Sequence, residues 1–153
     1  MSTVQQVDLA TGVCIPHSEL LQEAESVAAA RMLDGRIVAV TGGKYKGKTM
    51  AEVWGPPEQA ALDTPWTWSA LPAMGAGRRR SSTRVMSNGR FVVVGGESEY
   101  VYNRMSSLCE VLELGDNTHW GALPLMLDSR DGCACMAVAG CVIVAVGYQR
   151  ETS

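Results

Sequence analysis

An all-β fold made of repeated four-stranded antiparallel units is what this sequence of 153 residues predicts, and three observations carry that reading. A double glycine, Gly42-Gly43, returns as Gly95-Gly96, and its first half returns again as Gly147 ahead of Tyr148. A tryptophan-led segment, Trp68-Ser69-Ala70-Leu71-Pro72-Ala73-Met74, returns as Trp120-Gly121-Ala122-Leu123-Pro124-Leu125-Met126. Short apolar runs of strand length, bounded by Gly, Asn, Asp and Pro, fill the space between these marks. All recur at one spacing of roughly fifty residues, the period of a repeat architecture.

The elements follow in order. Residues 4–9 and 13–15 read as two strands. Residues 27–33 and 37–41 flank Asp34-Gly35, a dipeptide suited to a primed hairpin turn. Residues 50–54 and 66–71 complete a unit of four strands, closed by Pro72. The scheme repeats over 82–86, 91–94, 107–114 and 119–123, with Asn88-Gly89 in the place of Asp34-Gly35. Residues 133–138 and 142–146, with Gly140-Cys141 between them, read as the first two strands of another unit. Residues 4–15 thus form a trailing half unit, 26–72 and 82–124 full units, and 133–147 a leading half, in a single domain over 1–153. Cys14 stands in a tryptophan slot. Helix competes only over 18–31, where the glutamates, leucines and alanines would permit one or two turns.

A four-stranded unit of this length cannot bury both faces alone, so the units must stack face to face, as in a β-propeller. Phe91-Val92-Val93-Val94 suits an inner strand covered on both sides. Each glycine pair is followed by Glu52-Val53 or Glu110-Val111, then by the Trp-x-x-Leu-Pro-x-Met ending and arginine. In these features the chain resembles the kelch repeat, with Trp54 and Leu112 where that repeat commonly has tyrosine. The resemblance implies a partial β-propeller of about three blades' worth, and a protein-binding platform, as in substrate receptors of ubiquitin ligases and actin-associated proteins. A few kelch proteins are enzymes, so the alternative is a fragment of a kelch-propeller enzyme such as a carbohydrate oxidase. Three blades are fewer than the roughly 4 to 8 that close a ring. Either the chain is a fragment of a longer propeller, or two copies joined head to tail complete each other's split blade in a six-bladed ring.

Thirteen Lys plus Arg against sixteen Asp plus Glu leave a net charge of −3, which argues against a polyanion partner on overall charge. No apolar run approaches the roughly 20 residues that span a bilayer, and no basic segment followed by an apolar stretch opens the chain. The expected setting is cytoplasmic, with the nucleus as second compartment. Five cysteines, Cys14, Cys109, Cys133, Cys135 and Cys141, are an odd number and read as small apolar side chains packed in strands rather than as disulfides or a zinc site. No nucleophile elbow, phosphate loop or paired metal-ligand motif is present, so neither catalysis nor a cofactor is expected.

In an antiparallel unit the loop after the double glycine and the link to the next unit lie on one side. That side collects Lys44, Tyr45, Lys46 and Lys48, then Tyr100, Tyr102 and Arg104, then Tyr148-Gln149-Arg150, with Arg78, Arg79, Arg80 and Arg130 from the links. Tyrosine and arginine are favoured at binding hot spots, and arginines form bidentate pairs with carboxylate or phosphate. The expected ligand is a protein or acidic peptide; the plainer alternative for each residue is a solvated charge. Trp66, Trp68 and Trp120 read as packing between units, and Met74 and Met126 as core fillers.

Overall fold

The computed structural model describes residues 3–42, 50–57, 64–98 and 105–145, with the backbone alone over 142–145. Its described residues form β-strands, turns and bends and no helix, so the helical alternative over 18–31 gives way to a link and a complete strand, 26–31. A leading hairpin pairs β1 (Val4–Val7) with β2 (Cys14–His17). The first four-stranded sheet is a meander of β3 (Ser26–Arg31), β4 (Ile37–Gly42), β5 (Met50–Gly55) and β6 (Thr67–Leu71). The second is a meander of β8 (Ser82–Val85), β9 (Phe91–Val94), β11 (Cys109–Glu113) and β12 (His119–Leu123). A trailing hairpin pairs β13 (Ala134–Val138) with β14 (Cys141–Ala145). Two short strands, β7 (Arg78–Arg79) and β10 (Glu97–Ser98), pair with each other between the main sheets.

The turn chemistry explains the hairpins. Leu33-Asp34-Gly35 and Ser87-Asn88-Gly89 are three-residue loops, each closed by a bond from the glycine N–H to the carbonyl of Met32 or Met86. In each loop the glycine alone has positive φ, +95° at Gly35 and +81° at Gly89. This is the turn with a glycine bulge rather than the primed two-residue turn expected from Asp-Gly. Asp34 Oδ1 and Asn88 Oδ1 accept the N–H of Arg36 and Arg90 at 3.0 and 3.2 Å, which selects an Asx residue at that point. The primed turn occurs in the trailing hairpin, where Ala139 (φ 45°) and Gly140 (φ 81°) join the paired residues Val138 and Cys141.

The sheets stack with first strand beside first strand: β3 lies against β8, and β8 against β13. Along β3, Ala28, Ala30 and Met32 turn toward the second sheet and Val27, Ala29 and Arg31 away from it, the alternation of a strand. Met32, Val38, Val40, Ala51 and Met74 meet Phe91, Val93 and Leu112 in the main core. On the other face of the second sheet Met86, Val92, Val94, Cys109 and Val111 meet Cys133 of the trailing segment. The second sheet therefore offers its two faces to different neighbours, and burying a side chain of this kind contributes about 1.5–3 kcal/mol.

Candidate functional site

Glu110, the second residue of β11, is buried and holds the link that crosses over the second sheet. Its Oε1 accepts the Gly75 N–H at 2.8 Å, and its Oε2 pairs with Arg78 Nη2. Arg78 Nη1 donates to the Leu108 carbonyl at 2.6 Å and to the Gly95 carbonyl at 3.4 Å. Arg78 is 2% exposed. It is a strut between link and sheet, which corrects its expected place on a docking surface: a buried guanidinium requires a carboxylate and carbonyls around it, and it has them. Glu52 is the first sheet's counterpart, fully buried, with Oε2 accepting the Leu21 N–H at 2.8 Å. Its Oε1 has no hydrogen-bond partner among the described residues, and the link 18–25 contains no arginine to serve as one.

Gly95 and Gly96 are glycines because the links on either side of the second sheet run close to them. A Cβ on Gly95 would stand 2.5 Å from the Arg130 carbonyl oxygen, and one on Gly96 2.7 Å from that of Arg79. Both glycines also have positive φ, so neither position accepts a side chain. Gly42 is equally crowded, 2.6 Å from Arg79 Cβ. Gly43 and Gly147, the other members of the repeat, lie outside the described residues.

The remaining predicted contacts divide sharply. Arg79 forms a bidentate pair with Glu97, both bonds at 3.1 Å. Arg80 keeps its side chain 61% exposed, with Nη1 3.6 Å from Glu97 Oε2 and 3.7 Å from Asp131 Oδ2. Arg130 is half-buried and bonds Asp128 at 3.2 Å. Lys44, Tyr45, Lys46, Lys48, Tyr100, Tyr102 and Arg104 lie outside the described residues, as do residues 148–150. The structure thus joins Arg79, Arg80, Glu97 and Asp131 into one charged cluster in which Arg80 is the guanidinium most open to a ligand.

A second feature was not foreseen. An open groove of about 800 Å³ lies between the leading hairpin and the first sheet, lined by Trp54, Trp66, Trp68, His17, Arg31 and Ile37 among others. Trp54 meets Trp66 edge-on at 4.7 Å and His17 at 5.1 Å between ring centroids. Trp68 donates Nε1–H to the Ser18 carbonyl at 3.1 Å, as Trp120 does to the Pro72 carbonyl at 2.8 Å, so each anchors the preceding link. The similarity ends there. Trp120 packs edge-on to Phe91 against the main core, beside a fully buried Leu112. Trp68 lies opposite Trp54 in an open groove. The only signal available in the sequence was Trp54 standing where the second unit has Leu112.

A smaller groove of about 330 Å³ lies between the second sheet and the trailing hairpin, lined by Met86, Val92, Cys109, Leu123, Met126 and neighbours. All five cysteines are free thiols; Cys109, Cys133 and Cys135 are buried, while Cys14 and Cys141 are exposed, against the expectation that all five pack. Burial pushes the Cys109 and Cys133 thiols above their ordinary pKa, with Cys135 adding to the effect. Such thiols stay protonated and unreactive at neutral pH.

No family model matches this chain, and no curated protein does. Solved structures do match. One is described as a novel fungal alcohol oxidase with catalytic diversity among the AA5 family, in complex with copper; it aligns with a TM-score of 0.52 and 14% identity over 99% of this chain and 44% of its own. The likeness is one of fold, and this chain spans under half the length of that protein. Copper does not fit the described donors. No group of three His, Cys, Asp or Glu among them is placed to hold a metal ion. His17 bonds Gln6 at 3.2 Å in the leading hairpin, and His119 bonds the Asn117 carbonyl at 2.9 Å in the second sheet.

Proposed function

We propose that this chain is a kelch-type propeller module whose task is to bind protein. The observation that carries the reading is where its exposed large apolar side chains lie. Val7, Leu9, Val13 and Ile15 project from the leading hairpin, Leu125 and Leu127 from the link after β12, and Met136 and Val138 from β13. Large apolar side chains left exposed on neighbouring positions of one hairpin or link are the kind of surface that a protein partner covers. The stacked meanders and the close links over Gly42, Gly95 and Gly96 support the propeller, and five free thiols suit a cytoplasmic setting.

On the rim we assign an acidic peptide to Arg80, which stands open in the cluster with Arg79, Glu97 and Asp131. An array of acidic and phosphorylated peptides, probed with the whole chain, tests this. Arg80→Glu is expected to weaken the strongest binders at least tenfold. No binding to any acidic peptide, or binding indifferent to Arg80→Glu, would overturn it. A second reading is part of an enzyme built on the same scaffold, since the chain shares its fold with part of an oxidase. Titration of the chain with copper(II) separates the two, since stoichiometric tight binding would support the enzyme reading.

A further inference from the structure

The two internal junctions of this molecule follow one rule. The face of the first sheet carrying Ala28, Ala30, Met32, Val38 and Val40 packs on the face of the second carrying Val85, Phe91, Leu112 and Trp120. The second sheet's opposite face, with Met86, Val92 and Val94, packs in turn on the face of the trailing hairpin carrying Cys133 and Ala137. Among the described residues, two members of this series are left uncovered. One is the outward face of the trailing hairpin, where Met136 and Val138 are exposed. The other is the opposite face of the first sheet, where Val27 and Arg31 are exposed and Ile37, Trp54 and Trp68 line the open groove. By strand register Ile37 and Trp54 pair as Phe91 and Leu112 do, so this open face corresponds to one that is buried in the main core.

The backbone edges match as the faces do. In both four-stranded sheets the second strand pairs with the third. Among the described residues β14, a second strand by sequence, has only β13 as partner, and β1, a third strand, has only β2.

We infer that this chain associates with itself head to tail. The Met136–Val138 face of one copy covers the Val27–Ile37–Trp54 face of the next, and β14 pairs antiparallel with β1 across the junction. A second copy is the occupant because the chain itself carries both halves of the missing contact, in the chemistry and strand order it uses twice internally. A contact of this kind is heterologous, so it closes into a ring when the rotation permits and otherwise grows as a chain of copies. Closure with two copies gives the ring of six units.

Light scattering on the purified chain tests the inference, with folding checked by circular dichroism. The wild type is expected at twice the chain mass of 16.4 kDa, or at a higher multiple. Met136→Glu and Val27→Glu, on opposite faces, are each expected to reduce the mass to that of one chain. Leu33→Glu, at an exposed hairpin tip, is expected to leave the assembly intact. Mixing Met136→Glu with Val27→Glu restores a dimer through the one junction whose faces are both unaltered, which no symmetric face-to-face dimer would do. A wild type that stays at 16.4 kDa up to about 100 μM overturns the inference, as does an assembly indifferent to both variants or a mixture that stays monomeric. Should either variant fail to fold, Met136→Ser or Val27→Ser takes its place with the same expectations. Peptide binding at Arg80 is read separately, so a monomer that binds acidic peptides overturns this inference alone.

Discussion

Arg78 shows how a residue's role depends on what lies far away in the chain. Three successive arginines suggest an exposed basic patch, yet the first is buried because Glu110 and the carbonyls of Leu108 and Gly95 converge on it. Nothing local in Arg78-Arg79-Arg80 distinguishes the strut from the open Arg80. Removing one partner of such a pair strands the other in the interior, so Arg78→Ala is expected to cost about 3–5 kcal/mol. Denaturant unfolding checks this, and a loss below about 1 kcal/mol would mean that Arg78 is solvated. Replacing both Arg78 and Glu110 by leucine should recover much of the loss. The thiols give a second test. Cys14 and Cys141 should react with a thiol reagent in the native protein, and Cys109, Cys133 and Cys135 only on unfolding; five equal rates would contradict the burial.

Two aspartates and two of the buried thiols set the dependence of stability on pH. Bonds from the Ala10 and Thr11 amides hold Asp8 below the usual carboxylate range, and the Arg36 guanidinium does so for Asp34. Their folded pKa values lie below the unfolded ones, so their contribution is present above about pH 4 and is lost as pH falls. Cys109 and Cys133 are shifted the other way, so theirs is complete below about pH 8.5 and is lost as pH rises beyond it. Melting temperatures across pH 3–10 should therefore fall at both ends. A melting temperature that rises from pH 9 to 10 would contradict the assignment of the cysteines.

At the scale of the element, most strands were legible because their signals are local. The bounds of β9 and β12 coincide with those read from apolar runs and turn residues, and β4 and β5 differ from theirs by one residue. The turn type was not legible, because Asp-Gly serves both the primed turn and the bulged one, and strand register decides between them. Nor were β7 and β10, whose pairing of Arg79 with Glu97 depends on the link passing over Gly96. The trailing hairpin carries a local misfit, since Ala139 sits at φ 45°, where an L side chain crowds its own backbone. Ala139→Asn is expected to stabilise that hairpin by about 1 kcal/mol. Slower amide exchange in β13 would show it, and unchanged or faster exchange would contradict it.

At the scale of the molecule, the repeat told more than any residue did, because a spacing that returns demands a surrounding that returns. Trp68 and Trp120 each donate to a link, and Glu52 and Glu110 each pin one. What the repeat hid is where the surroundings differ. Trp54 lines an open groove, whereas Leu112, which pairs with Phe91 as Trp54 pairs with Ile37, is buried. Packing rather than sequence separates the two, since only the second sheet has a complete sheet on that face. The proposed docking and self-association both rest on sheets that stack face to face. Methyl NOE spectroscopy tests that stacking most directly: cross-peaks should join Val38 and Val40 of the first sheet to Val93 and Leu112 of the second. Cross-peaks confined within each sheet, with none between them, would contradict it.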